Sequence, residues 1–171
     1  HGPSGSGKIA VVRSVLEQLR VRAAFLNCTA CTSPRSLYEN TLSQLHSHTA
    51  CASNGYSPWA AIENSAAFVA GINETLTEVG RVCIVLNHAE LLTQHPDVIP
   101  TLLSLPKLCQ DERVHTIFVD EAPWADFHAT TRFADVLTVR FAANTKEQLK
   151  AVLSRERGVR LAAEIGISEA D

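Results

Sequence analysis

The feature that most restricts this chain stands at its start. Gly2-Pro3-Ser4-Gly5-Ser6-Gly7-Lys8-Ile9 matches the phosphate-binding loop pattern G-x-x-x-x-G-K-[ST] at every defined place except the last. Such a loop lets backbone N–H groups turn inward around phosphate oxygens, and the helix that follows aims its positive end at them. Lys8 supplies a point charge for the outer phosphates. The residue after the lysine should hold Mg²⁺ through a hydroxyl, and Ile9 has none. Ile9, Val12, Leu16 and Leu19, with Val11 and Val15 beside them, form a helical apolar stripe that begins at the loop. The pattern therefore predicts a nucleotide-binding loop on a helix that packs against a sheet.

The rest of the chain alternates short apolar runs with helical patterns. A first helix is expected from Ser6 to Arg20 and a strand at Ala23 to Asn27. Ser33-Pro34 then offers an N-cap with proline at the first helical place, opening a helix to about His46. After a polar loop at 49–57, a longer helix is expected from Pro58 to about Glu78. Val82-Cys83-Ile84-Val85-Leu86 is a continuous apolar strand of the kind buried on both faces of a parallel sheet. A helix from Asp97 or Pro96 to Leu108 follows, then strands at His115–Val119 and Val136–Phe141. Thr145-Lys146-Glu147-Gln148 is a capping-box pattern that opens a final helix to about Arg157. Strands alternating with helices predict a parallel α/β sheet.

The length of 171 residues is that of one domain with a real core. No apolar run approaches the ~18 residues that span a bilayer, so no membrane is expected as a partner. A net charge of −3 and a pI near 6.2 argue against a strongly basic nucleic-acid surface in this segment. Five cysteines, an odd number set mostly among apolar residues, suit a reducing compartment. Only His1 precedes the loop where a buried strand is expected, so the reading is of a core truncated at its N-terminus, with strand 1 largely missing.

Other positions can be weighed for chemistry. In phosphate-loop NTPases a second buried strand ends in an acid that holds Mg²⁺ through its water shell. Asn87 occupies that place; it accepts hydrogen bonds from metal-bound water but carries no charge. His88 follows, where many ATPases place a water-activating Glu, and Glu90 lies close by. Asp120, after the strand ending at Val119, is a candidate sensor of the γ-phosphate. Arg132 precedes the last strand, where ring-forming ATPases often carry an arginine that reaches a neighbour's nucleotide. Cys28-x-x-Cys31 with His46 and His48 has poor zinc spacing, one residue between histidines where three to five are wanted. No metal site is expected from it. With Ile9, Asn87 and His88 altered together, nucleotide binding is expected and hydrolysis is not.

Three segments carry a resemblance. Phe25-Leu26-Asn27-Cys28 with Ser33-Pro34-Arg35-Ser36-Leu37-Tyr38-Glu39, then Val82 to Leu92, then Glu121-Ala122-Pro123-Trp124-Ala125-Asp126-Phe127 resemble, in that order, the subunit 5 family of the origin recognition complex. These are AAA+ initiators of DNA replication. The resemblance runs from Gly2 to about Leu153 and implies a P-loop AAA+ core with strand order 5-1-4-3-2. It places that core at residues 1–144 and the start of a helical lid at 145–171. It further implies ATP as ligand, Mg²⁺ put in question by Ile9 and Asn87, other subunits of the complex as partners, origin DNA met mainly through the complex, and a nuclear location. By position, Gly2, Gly5, Gly7 and Lys8 would cradle phosphates, Asn87 would stand at the Walker B acid and Asp120 at the sensor. The altered positions favour a subunit that binds ATP with little or no hydrolysis and supports assembly of the initiator ring. The alternatives are an active ATPase, such as a clamp-loader or another initiator relative, and a scaffold that no longer binds nucleotide.

Overall fold

The computed structural model describes residues 1–124 and 136–154. In chain order the elements are α1 (Lys8–Gln18), β1 (Arg22–Asn27), α2 (Pro34–Leu45), α3 (Ser65–Val79), β2 (Val82–Asn87), α4 (Val98–Leu103), α5 (Leu105–Leu108) and β3 (Val114–Val119), with a last helix over 146–154. Single 3₁₀ turns at Cys28–Ala30 and Ala52–Asn54 and a two-turn 3₁₀ helix at Ala89–Gln94 lie in the connections.

The three strands form one parallel sheet in the order β1-β2-β3, with β2 in the centre. Alternate side chains sort to opposite faces, as a period of two requires. Ala24, Leu26, Val82, Ile84 and Leu86 enter the larger core beneath α2, α3 and α4, whereas Cys83 and Val85 join Leu16 of α1 on the other face. This is why β2 is apolar from Val82 to Leu86. The free edge of β1 is covered by a side chain: Phe25 N–H donates to Gln44 Oε1 (2.7 Å), and Gln44 Nε2 donates to Phe25 O (3.0 Å). One amide thus satisfies both backbone groups of Phe25, as a further strand would do.

At the β3 edge the backbone continues the order outward. Gly2 N–H donates to Asp120 O (3.2 Å), Phe141 N–H donates to His1 O (2.8 Å), and the His1 amino group donates to Val139 O (2.7 Å). From the edge inward the sequence is therefore 139–141, His1–Gly2, β3, β2, β1, in agreement with the order 5-1-4-3-2.

Several expectations need correction. Val136–Phe141 is not a buried strand: Leu137 and Val139 are 92% and 60% exposed, and within the described residues only His1 offers that segment a strand-like backbone partner. A ladder makes a strand, and two hydrogen bonds are too few. The stripe on α1 is narrower than its pattern, since only Leu16 is buried while Val11, Val15 and Leu19 are exposed. The helix expected from Pro58 starts at Ser65, because Trp59 N–H is taken by Ser43 Oγ (3.1 Å) and Ile62 N–H by Glu39 Oε1 (3.1 Å), both on α2. Asn64 then caps α3 by accepting from Ala67 N–H at 2.9 Å. The helix expected through Leu108 breaks at Ser104, two residues before Pro106, whose missing N–H interrupts the ladder. The caps at Ser33 and at Thr145 with Gln148 stand as their patterns predict.

Trp59 is in turn stacked on His46, with ring centroids 3.7 Å apart. Ser43 and Glu39 together therefore hold the segment 59–62 against α2, Glu39 at its Ile62 end. Glu39→Ala should cost the intact protein about 1–2 kcal/mol and speed amide exchange at Ile62 and Trp59. Glu39→Gln, which keeps the acceptor, should do neither; hydrogen-exchange mass spectrometry decides.

Candidate nucleotide site

The loop 2–8 is shaped by its own backbone. Ser6 N–H donates to Pro3 O (3.3 Å), closing a turn. Gly7, the residue before α1, has φ 80°, a left-handed value that L side chains resist, and so delivers the chain into the helix without strain. The helix then offers its unpaired N–H groups to the space above the loop. Lys8 Nζ is folded back on the carbonyls of Gly2 (2.5 Å) and Pro3 (2.9 Å).

One cavity of about 220 Å³ joins this loop to the sheet: residues 4–10 line one side and Asn87, His88, Val119, Asp120 and Glu121 the other. Parallel register brings the tips together, for Asn87 lies beside Val119 and Asp120 is the next residue along. The volume falls below the ~300–1,000 Å³ of pockets for drug-sized ligands and suits a phosphate tail. Gly2 and Pro3 do not line the cavity; they serve it through the carbonyls that hold Lys8.

Each tip has its own chemistry. His88 is left-handed (φ 57°, ψ 51°), an uncommon state for a residue with a side chain, and its Nδ1 lies 3.3 Å from Glu90 Oε1. Glu90 does not line the cavity. Asp120 is 6% exposed; its Oδ1 accepts from Glu121 N–H (2.5 Å) and Ala122 N–H (3.2 Å), an arrangement that clamps the carboxylate at the strand end. Behind them, burial pushes the Cys28 thiol up to about 12, with the charges of Cys31, Glu90 and Asp120 adding to it. Ile9 turns a hydrocarbon toward the cavity where the loop pattern has a hydroxyl. Arg132 lies outside the described residues.

Cys28 and Cys31 do not meet His46 and His48. The pairs sit beyond opposite ends of α2, whose twelve residues extend ~18 Å, and His46 instead bonds Thr75 Oγ1 (3.0 Å).

The loop has a further partner that its pattern does not announce. Asn144 Nδ2 donates to Gly5 O at 2.8 Å, and Phe141 lies so close to Gly2 that a Cβ there would strike the Phe141 carbonyl oxygen and come within 2.9 Å of its Cβ. The segment 139–144 therefore runs along the outside of the loop. No spacing could reveal this, since the partners are 139 residues apart; the one hint is that Asn144 immediately precedes a capping box.

The AAA domain family matches residues 1–125. The chain belongs to the AAA domain family. Among curated relatives, this AAA domain is 28% identical over 161 residues to a human protein named origin recognition complex subunit 5, covering 91% of this chain and 37% of the relative. It is 22% identical over 182 residues to an Arabidopsis thaliana protein named origin of replication complex subunit 5, covering 92% and 34%. The chain thus spans about a third of the length of these relatives. A solved structure described as Drosophila ORC bound to DNA shares the fold, with a TM-score of 0.71 at 24% identity, covering 91% of this chain and 39% of that one. The resemblance to subunit 5 holds over nine-tenths of the chain, and the P-loop AAA+ fold with it.

Two outcomes test the site's structure. Asn144→Ala should raise amide exchange at residues 4–7 in the intact protein while leaving β2 protected. Maleimide at neutral pH should label Cys51 first, because hydrogen bonds from Ser53 and Asn54 lower its pKa. Cys28, and Cys83, which burial raises to about 11, should stay unlabelled until the pH is strongly alkaline, since the thiolate is the reacting form. Mass spectrometry of the labelled peptides reads this.

Proposed function

We propose that this chain is the nucleotide-binding core of an origin recognition complex subunit, one that binds ATP in the cavity beside Gly2–Ile9 with little or no hydrolysis. The observation that carries the reading is the convergence of loop residues 4–10 with the tips of β2 and β3 on one cavity, at which Ile9 and Asn87 replace the usual metal ligands. A cradle of N–H groups and Lys8 is what binding a triphosphate needs. Turnover needs more, a positioned water and charge stabilisation at the leaving oxygens. His88, where an activating acid would stand, is engaged with Glu90 instead.

The wider role rests on the relatives' names. Two curated proteins named as subunit 5 align over nine-tenths of the chain. On this reading, bound ATP stabilises the assembled ring of subunits by mass action, the partners are the other subunits, and origin DNA is met mainly through the complex in the nucleus. Residues 1–144 form the AAA+ core and 145–171 begin a lid, for which the capped helix at 146–154 is the support. Among the described residues no helix is long and apolar enough to cross a membrane. The active-ATPase alternative lacks an acid at position 87 and a hydroxyl at position 9.

Equilibrium binding of ATP to the intact protein tests the core of this. Lys8→Ala should weaken binding at least tenfold, the loss expected when a charged contact to phosphate is removed. Steady-state turnover of the wild type should be no faster than that of Lys8→Ala. Robust turnover that Lys8→Ala abolishes would make the protein an active ATPase.

A further inference from the structure

The fold family implies a magnesium ion with the nucleotide, and the two side chains that usually receive it do not fit here: Ile9 has no oxygen and Asn87 no charge. Asp120 does fit. It is 6% exposed and lines the same cavity as residues 4–10, and Oδ1 is held by two backbone N–H groups while Oδ2 is buried with no partner among the described residues. Ser6 Oγ, on the loop across the cavity, is likewise buried without a partner. A buried anionic oxygen is not left bare without cost.

We propose that Asp120 supplies the protein's anionic contact to a divalent cation that enters with ATP, so that the acid normally placed at the tip of β2 has moved to the tip of β3. The inference rests on the reading of this cavity as a nucleotide site. Register gives the size of the move. Asn87 is level with Val119, so Asp120 stands one strand over, ~4.8 Å, and one residue further along, ~3.3 Å. Magnesium keeps several waters and needs only one or two carboxylates beside the phosphates, so a single aspartate suffices. Among the described residues no group of three or more His, Cys, Asp or Glu could hold a metal ion, so the proposal has the ion enter with the nucleotide.

Electrostatics gives this assignment a signature in two directions. Without a cation, the Asp120 carboxylate repels the triphosphate; with one, it attracts the complex. Asp120→Asn keeps the Oδ1 acceptor for Glu121 and Ala122 N–H and removes only the charge. Binding of ATP to the intact protein should be measured in EDTA and in Mg²⁺ for wild type, Asp120→Asn, Glu112→Gln and Lys8→Ala. Mn²⁺ electron paramagnetic resonance should be recorded with and without ATP. Wild type should gain about tenfold in ATP affinity from Mg²⁺, the scale of one partly screened charge contact. Asp120→Asn should lose most of that gain and bind ATP more tightly than wild type in EDTA. Glu112→Gln, an exposed carboxylate before the start of β3 and away from the cavity, should keep the gain. Mn²⁺ should give a bound signal in wild type only when ATP is present, and Asp120→Asn should lose it.

An equal Mg²⁺ gain in wild type and Asp120→Asn overturns the proposal, as does a wild type that binds ATP through Lys8 yet ignores Mg²⁺. The wild-type comparison stands even if Asp120→Asn folds poorly. Failure of the nucleotide reading itself looks different: no ATP binding in any condition, or binding that Lys8→Ala leaves intact, and it takes this proposal with it.

Discussion

The parallel register of β1, β2 and β3 is the constraint on which the rest depends. Parallel neighbours cannot be joined by a tight turn, so each connection crosses a face of the sheet and returns to the same starting edge. Every strand therefore ends on one rim. Asn27, Asn87 and Val119 are the last residues of their strands and lie level with one another. The residues just past them, Cys28, His88 and Asp120, come from separate parts of the chain and share an edge for no other reason. The phosphate loop reaches that edge through one backbone bond, from Gly2 N–H to Asp120 O.

Charge on this rim is unevenly distributed. Glu90, Asp120 and Glu121 stand at or near the strand tips, and the positive side is carried by helix N–H groups and by Lys8, whose ammonium rests on the Gly2 and Pro3 carbonyls. A triphosphate drawn to the loop would displace those carbonyls from Lys8 and at the same time meet the carboxylate of Asp120. On the proposed reading, the loop would attract the phosphates and the Asp120 carboxylate would repel them unless a cation entered as well. Binding and catalysis thus separate on physical grounds. The cradle needs only backbone and lysine, whereas hydrolysis needs charge and a base in set positions.

The segment 139–144 ties a third part of the chain to the loop. It bonds His1 through Val139 and Phe141, packs on Gly2 through Phe141, and holds the Gly5 carbonyl through Asn144. The helix over 146–154 begins immediately afterwards behind the Thr145–Gln148 cap. The bond from Asn144 to Gly5 thus stands two residues before the start of that helix. Leu137 and Val139, just before and at the start of this stretch, are exposed among the described residues.

Local pattern alone determined a good deal: the phosphate loop, the caps at Ser33 and Thr145, the double-faced burial of Val82 to Leu86, and the alternation that makes the sheet parallel. These were legible because each depends on residues a few places apart, where spacing maps directly onto geometry. The tertiary structure decided the rest. Pro58 to Asn64 stays outside α3 because Glu39 and Ser43, on another helix, take its N–H groups. Val136–Phe141 fails as a strand because it meets one residue of backbone and no ladder. Asp120 was legible as polar at a strand tip, but the burial of its Oδ2 without a partner among the described residues, and its place one residue past the level of Asn87, follow only from the tertiary structure. Asn144 was not legible at all. Hydrogen bonds between distant segments are chosen by which surfaces the fold brings together, and a single sequence records the donors and acceptors without their pairing.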